Sequence, residues 1–340
     1  MAAIILPFND AFIFRMTDDT GIFHHCVNGV PDPREGYTTD DNARALIMAA
    51  LLYQQFPEEK YRNLLYRYLS FLLYAQNTDG WFKNFMGYDR RFIEDKGSED
   101  CYGRCLWALG YTASNEFLPQ DLRRTAQKVF EDALPNCEKL SFPRAKAYAI
   151  IGLSYLPTNK TKNKMIPLLD SLLKQHDHSS TPDWKWFEDY MSYSNAVLPW
   201  AMLAGYKTVK IERYKEVGLE SLGFLESKTF THGYFKPIGC KGWYFKEKKA
   251  AEFDEQPLEA AETLLCYLEA YELTQEKKYL EKALKCYKWY EGDNSKRIPV
   301  IDAETGGCYD GITKEGVNLN QGAESIISYM LARLSIQKYI

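Results

Sequence analysis

Two kinds of helical segment alternate along this chain, and that alternation limits its fold more than any other feature. The first kind is apolar or small on every face: Ala43 to Tyr53, Gly103 to Tyr111, Ala145 to Tyr155, Ala196 to Tyr206, Leu258 to Tyr271 and Ala323 to Leu334. The second kind carries a stripe of Lys, Arg and Glu: Glu58 to Gln76, Gln120 to Leu134, Lys162 to Lys174, Glu212 to Ser227 and Glu276 to Tyr290. A helix apolar all round must be buried, whereas one with a charged stripe lies at the surface. Strict buried–exposed alternation describes an all-α toroid, an (α/α)6 barrel of helical hairpins with inner helices ringed by outer ones. Six inner candidates face five outer ones. The missing outer element falls to the N-terminal segment, although Phe8 to Phe23 reads more like short strands. No Pro/Gly/Ser-rich linker interrupts the pattern, so residues 1–340 read as one domain with 1–36 partly extended and short β-hairpins in the connections.

Composition narrows the function classes. The 42 basic and 46 acidic side chains leave a net charge of −4, without the clustered positive face that nucleic acid requires. No run approaches the about 18 apolar residues needed to span a bilayer, and the Ala2–Leu6 run lacks the basic lead of a secretory signal. Eight scattered cysteines form no C-x-x-C pair, which predicts free thiols in a reducing, cytoplasmic compartment.

Polar clusters stand immediately before the buried helices: Thr38–Asn42, Ser98–Asp100, Trp186–Asp189, Phe253–Gln256 and Asn318–Gln321. In a toroid every inner helix starts at the same end, so these clusters converge on one mouth. Asp, Ser, Thr and Asn are ordinary helix caps, but a cap needs one polar residue, and here doublets recur. The segment around Asp40 and Arg44 repeats around Asp100 and Arg104, and each Asp–Arg pair has the i,i+4 spacing of neighbours on one helix face. The third inner helix departs from the pattern, bringing Arg144 and no carboxylate. A cation beside one carboxyl keeps it ionised while an apolar wall raises another, and that separation supplies an acid and a base.

Aromatics flank the same clusters. Among 7 Trp, 25 Tyr and 18 Phe, Trp81, Trp184, Trp186 and Trp243 lie in polar connections rather than at helical spacing, where an aromatic face suits a sugar ring. Paired carboxylates beside such platforms point to glycoside chemistry. One acid among Glu188 and Asp254 would protonate the leaving oxygen, and one among Asp41 and Asp100 would act as base. Arg44 and Arg104 would hold the ionised partner. Asp40, Asn195, Gln256, Asn320, Gln321 and Glu324 complete the predicted substrate contacts. The chain contains no phosphate-binding or nucleophile-elbow motif. His24-His25 and His176-Asp177-His178 lie outside the inner-helix starts and read as solvated or locally paired, so no metal and no cofactor is expected.

At these residues the chain resembles the six-hairpin toroid glycosidases. The strings Asp79–Asn84, Ser98–Asp100 with Gly103-Arg104, Trp186–Asp189 with Asn195-Ala196, Phe253–Pro257 and Asn320–Ser325 also resemble a bacterial group of helical proteins that occur alone or joined to glycosyltransferase domains. The resemblance implies a carbohydrate-active protein. A glycoside hydrolase, possible inversion included, is the leading expectation. A non-catalytic glycan-binding module working with a glycosyltransferase is one alternative, and a toroid epimerase or lyase is another. Epimerases of this fold rely on histidines at inner-helix ends, and none stands there in this sequence.

Overall fold

The computed structural model of the chain describes residues 8–340, so the Ala2–Leu6 run lies outside the described residues. Six inner helices, α2 (Thr39–Gln55), α4 (Glu99–Ser114), α6 (Pro143–Ser154), α8 (Val197–Val209), α10 (Pro257–Thr274) and α12 (Ala323–Ile336), pack each against the next, and α12 closes on α2. Outside them lie α3 (Glu59–Ala75), α5 (Gln120–Ala133), α7 (Asn159–Ser179), α9 (Glu212–Thr229) and α11 (Lys277–Tyr290), each bound to the inner helix beside it in sequence. This is the (α/α)6 toroid expected from the alternation of the two helix types. In α5 the buried residues are Leu122, Ala126, Val129, Phe130 and Ala133, one stripe at helical spacing. In α6 burial runs almost without break from Arg144 to Leu153. Each large apolar side chain in such a stripe contributes about 1.5–3 kcal/mol when removed from water.

The sixth outer position is filled differently. The N-terminal segment forms a five-residue helix, α1 (Ala11–Arg15), and then an antiparallel bridge between Thr17 and Ile22. It is tied to α3 by the Tyr61 hydroxyl, which donates to Asp10 at 2.5 Å, and by Thr17 and Tyr68 at 2.8 Å. The segment is therefore part helix and part extended.

Among the described residues three two-stranded sheets sit in the connections. β1 (Cys26–Val27) and β2 (Val30–Pro31) form a hairpin. The others join separate connections: β3 (Tyr37–Thr38) pairs with β4 (Phe85–Met86), and β5 (Tyr190–Met191) with β6 (Tyr244–Phe245). Only the first is the hairpin expected. The other two lock consecutive connections together above the helix starts.

Inner helices approach most closely at α4 and α6. A Cβ on Gly152 would fall on the Leu106 carbonyl and the Trp107 nitrogen, and one on Gly103 would lie 2.7 Å from the Ala145 oxygen. Backbone cannot retreat as a side chain can, so Gly152→Ala is expected to lose about 1–3 kcal/mol in denaturant titration. Gly223, within α9, meets nothing within 4 Å, and Gly223→Ala is expected to gain about 0.5–1 kcal/mol. Equal effects at the two sites would contradict this packing.

Candidate functional site

Hydroxyls cap the first two inner helices. Thr38 Oγ1 accepts from the Asp41 N–H at 3.2 Å, and Ser98 Oγ accepts from the Cys101 N–H at 3.1 Å. The carboxylates beside them are therefore surplus to capping and are free to form a network.

The network centres on buried Arg44. Its Nη2 donates to Asp40 Oδ1 at 2.9 Å and to Asp41 Oδ1 at 2.7 Å, and its Nη1 to Glu324 Oε2 at 2.9 Å. Arg104 adds a second cation, with Nη1 3.1 Å from Asp40 Oδ2. The expected Asp40–Arg44 pair along α2 thus forms. The matching Asp100–Arg104 pair does not: Arg104 reaches across to Asp40, and Asp100 Oδ2 instead accepts from the Tyr193 hydroxyl at 2.6 Å.

Asp41 is only 1% exposed, and its remaining oxygen accepts from Thr38 Oγ1 at 2.6 Å and meets His24 Nδ1 at 2.7 Å. Burial alone would raise this carboxyl, but the His24 hydrogen bond and the Arg44 charge hold it well below the usual carboxylate range. Such a group is a poor base, and the network leaves it no open oxygen. Asp41, one of the two bases expected, thus stands in the structure as a buried counter-charge to Arg44. His24 stands on no helix, yet its pairing with Asp41 reaches the first turn of α2. Burial would lower its imidazole, but Asp41 and then Asp40 outweigh that and raise it.

A second group lies across α6 and α8. Arg144 Nη1 donates to Glu188 Oε2 at 2.7 Å, its Nε donates to the Tyr193 carbonyl, and its guanidinium lies 4.7 Å from the Tyr193 ring centre. Glu188, one of the two acids expected, is buried in this ion pair as the partner of Arg144. The cation that broke the sequence pattern finds its carboxylate on the following connection.

The third group was missed. Glu259 and Glu262 are both buried within the first two turns of α10. Glu259 Oε2 accepts from the Asn195 N–H at 3.3 Å and from Asn195 Nδ2 at 3.1 Å. Glu262 Oε1 accepts from the Tyr148 hydroxyl at 2.5 Å. Burial, and then the neighbouring Glu262, push Glu259 up to about 7. Burial also pushes Glu262 up to about 7, against the opposing pull of Tyr148 and Arg104. Glu259 Oε1, Glu262 Oε2, Asn195 Oδ1, Arg104 Nε and Arg144 Nη2 are buried without a hydrogen-bond partner among the described residues. The signal was present in the sequence: two carboxylates at i,i+3 spacing among the small and apolar residues that open α10.

A pH dependence of stability follows. A carboxyl that ordinarily titrates near 4.5 but holds its proton to about 7 when folded stabilises the fold less as pH rises through that window. The raised His24 acts in the same direction, since its contribution is complete below the ordinary value of about 6.5 and is lost as pH rises through the folded value. The melting temperature is therefore expected to fall between pH 5 and pH 8, and Glu262→Gln to shrink that fall. A wild-type profile flat across the window would contradict the assignment.

The remaining predicted residues divide. Asp254 is half-buried, with Oδ2 3.2 Å from Lys241 Nζ, and Gln256 occupies the cap position of α10. Trp243 stays at the mouth, 6.5 Å from the Tyr193 ring. The other three tryptophans are buried in the wall and offer no stacking face. Trp81 is covered by Lys96 Nζ, 3.4 Å from its ring centre, and meets the Tyr102 ring at 4.8 Å. Trp184 meets Phe224 and Tyr244 edge-on, each at 5.1 Å, and Trp186 packs against Phe187 and Phe224. Asn320 and buried Gln321 serve the connections, Asn320 Oδ1 accepting from the Asn28 N–H at 3.3 Å and Gln321 Nε2 donating to Asp302 at 3.3 Å. Asn195 is buried and holds Glu259 rather than facing the mouth.

At the opposite, C-terminal end of the ring a cavity of about 240 Å³ is lined by Trp107, Tyr155, Trp200 and Glu269 among others. Lys207 bridges Glu269 at 3.1 Å and Glu272 at 3.0 Å there. Glu269 Oε1 is buried there without a hydrogen-bond partner among the described residues, but the Lys207 charge lies against it. Among the described residues no three His, Cys, Asp or Glu side chains are grouped as metal ligands would be, and no helix is long and apolar enough to cross a membrane. All eight cysteines are unpaired.

Solved structures share this fold at low sequence identity. A sugar epimerase from a ruminal bacterium matches with a TM-score of 0.73 at 14% identity, covering 97% of each chain. D-mannose isomerase matches with a TM-score of 0.75 at 12% identity, covering 97% of this chain and 95% of its own. The GH76A α-1,6-mannanase from Salegentibacter sp. HEL1_6 matches with a TM-score of 0.65 at 10% identity, covering 97% and 96%. No protein-family model and no curated protein matches the chain.

Proposed function

We propose that the chain is a carbohydrate-active enzyme that hydrolyses a glycosidic bond at the N-terminal mouth of its helical ring. The observation that carries this reading is the presence of two classes of carboxyl in one mouth. Asp40, Asp41 and Glu324 are clamped by arginine, whereas Glu259 and Glu262 are pushed up to about 7 by burial. Environments that separate carboxyls in this way assign an acid and a base.

In this mechanism Glu259 is the acid. Asn195 anchors one of its oxygens and leaves Oε1 to carry the proton that passes to the leaving oxygen as the bond to the anomeric carbon breaks. Asp100, half-buried and oriented by Tyr193, takes a proton from the attacking water, whose oxygen forms the new bond to that carbon. Arg44 and Arg104 fix Asp40 beside them as a hydrogen-bonding group for sugar hydroxyls. A mannanase on the same fold is consistent with this assignment.

A second reading is favoured by the pair near 7 and by the epimerase and isomerase on the same fold. A carboxyl that titrates there also suits removal of a proton from the carbon beside a sugar carbonyl. One experiment separates the two. Incubation with a panel of oligosaccharides and free sugars in deuterated water should release new reducing ends without carbon-bound deuterium. Deuterium at C2 with no new reducing ends would establish the second reading. Saturable binding without either product would leave a glycan-binding module, the form in which a glycosyltransferase partner would be expected.

A further inference from the structure

The inner ring runs α2, α4, α6, α8, α10, α12, so the edge between α2 and α4 faces the edge between α8 and α10. The β3–β4 sheet leads into α2 and α4, and the β5–β6 sheet into α8 and α10. Two small sheets thus stand on opposite rims of one mouth.

Each sheet turns an aromatic outward above a buried neighbour. Phe85 is 42% exposed while Met86 beside it is buried. On the other rim Tyr190 and Phe245 are direct cross-strand partners with ring centres 5.8 Å apart, 38% and 42% exposed, above buried Met191. Side chains alternate between faces along a strand, so these rings are directed away from the core by register. Both rims connect to the charged network. The charge of Glu188, the partner of Arg144, raises the Tyr190 hydroxyl, and the Phe85 ring meets His24, the partner of Asp41, edge-on at 6.3 Å.

Spacing decides what could touch both rims. Neighbouring packed helices lie 8–10 Å apart, so helices opposite each other in a ring of six are separated by about 16–20 Å. One sugar ring cannot cover that span, whereas a chain of several rings can. We propose that the mouth binds an extended glycan, with outer sugar rings stacked on Phe85 at one rim and on Tyr190 and Phe245 at the other, and the reacting unit over Asp100 and Glu259 between them. This rests on the hydrolase reading, and it makes chain length the determinant of substrate choice.

The test uses the full-length chain with cello- and α-1,6-manno-oligosaccharide ladders from disaccharide to hexasaccharide, following binding by NMR and cleavage by product analysis. For the ladder that binds, affinity should rise with length. Phe85→Ala and Phe245→Ala should each weaken the longest oligosaccharide by about tenfold and leave the disaccharide unchanged. Both rings are exposed, so the folded state should survive each change, which circular dichroism verifies. Equal binding of short and long chains, or variants that leave the length dependence intact, would overturn the extended-chain proposal and leave the hydrolase reading standing. Failure of every ladder member to bind would overturn both. Concentration-dependent dimerisation abolished by Phe245→Ala would assign the rim to a second copy of the chain and overturn the proposal.

Discussion

Glu259→Gln is expected to abolish turnover, lowering kcat by about 10²–10⁴-fold, while the protein remains folded and still binds sugar. The amide keeps the shape of the side chain and an oxygen for the Asn195 N–H groups that anchor Glu259, so what is removed is the proton. The wild-type pH profile should lose activity as pH rises through about 7, where burial has placed this acid, because the deprotonated form cannot protonate a leaving group. Stability should move the other way. A neutral amide does not pay the desolvation of a buried carboxylate, so the variant should melt no lower than wild type at pH 8, although it is inactive. Asp100→Asn should also be inactive but should retain the alkaline limb in any residual rate, since the base has been removed and the acid remains. The assignment fails if Glu259→Gln turns over within about threefold of wild type, or melts much earlier, which would make Glu259 a structural residue.

Much of the scaffold was legible because burial imposes itself on every residue of a helix. The continuous apolar run of α6 and the single stripe of α5 admit one arrangement of layers, and the shared polarity of the inner helices then brings Asp40, Arg44 and Glu324 together. Partner choice was less legible. Arg104 had a carboxylate at i−4 and another on the neighbouring helix α2, and it pairs with Asp40 while Tyr193, arriving from the connection before α8, donates to Asp100. Nothing local in the sequence distinguishes those outcomes. The tryptophans misled for a related reason. Polar, glycine-containing connections were expected to hold their aromatics over the mouth, but these connections fold back on the outer layer, and Trp184 and Trp186 meet Phe224 of α9. The rings that remain outward, Phe85, Tyr190 and Phe245, are set by two-residue strands too short for their alternation to show as a period. Glu259 and Glu262 were obscured by the helix that contains them, since α10 was read as apolar throughout.

Arg44→Met should be the most destabilising single change at the mouth, costing about 3–5 kcal/mol, the usual loss when one partner of a buried ion pair is removed. Methionine fills much of the same volume, so the loss measures charge rather than a cavity. Three carboxylates depend on this guanidinium: Asp40 retains Arg104 and Glu324 is partly exposed, but Asp41 would keep only His24 and Thr38. With an unfolding entropy near 2.1 cal/mol/K per residue, that loss lowers the melting temperature by about 4–7 °C in a chain of 340 residues. Arg44→Lys should recover only part of it, because one ammonium cannot bridge three carboxylates as a planar guanidinium does. The deficit has its own pH signature. Asp41 folded below its ordinary value contributes stability above that value and loses it as pH falls through the folded one. Without Arg44 this depression is relieved, so the gap between variant and wild type should narrow in acid. A double-mutant cycle with Asp41→Asn isolates the shared term: if Asp41 is the stranded charge, the double variant should be more stable than Arg44→Met alone. If the two losses simply add, Asp41 is not held by Arg44, and the counter-charge role assigned to it here fails.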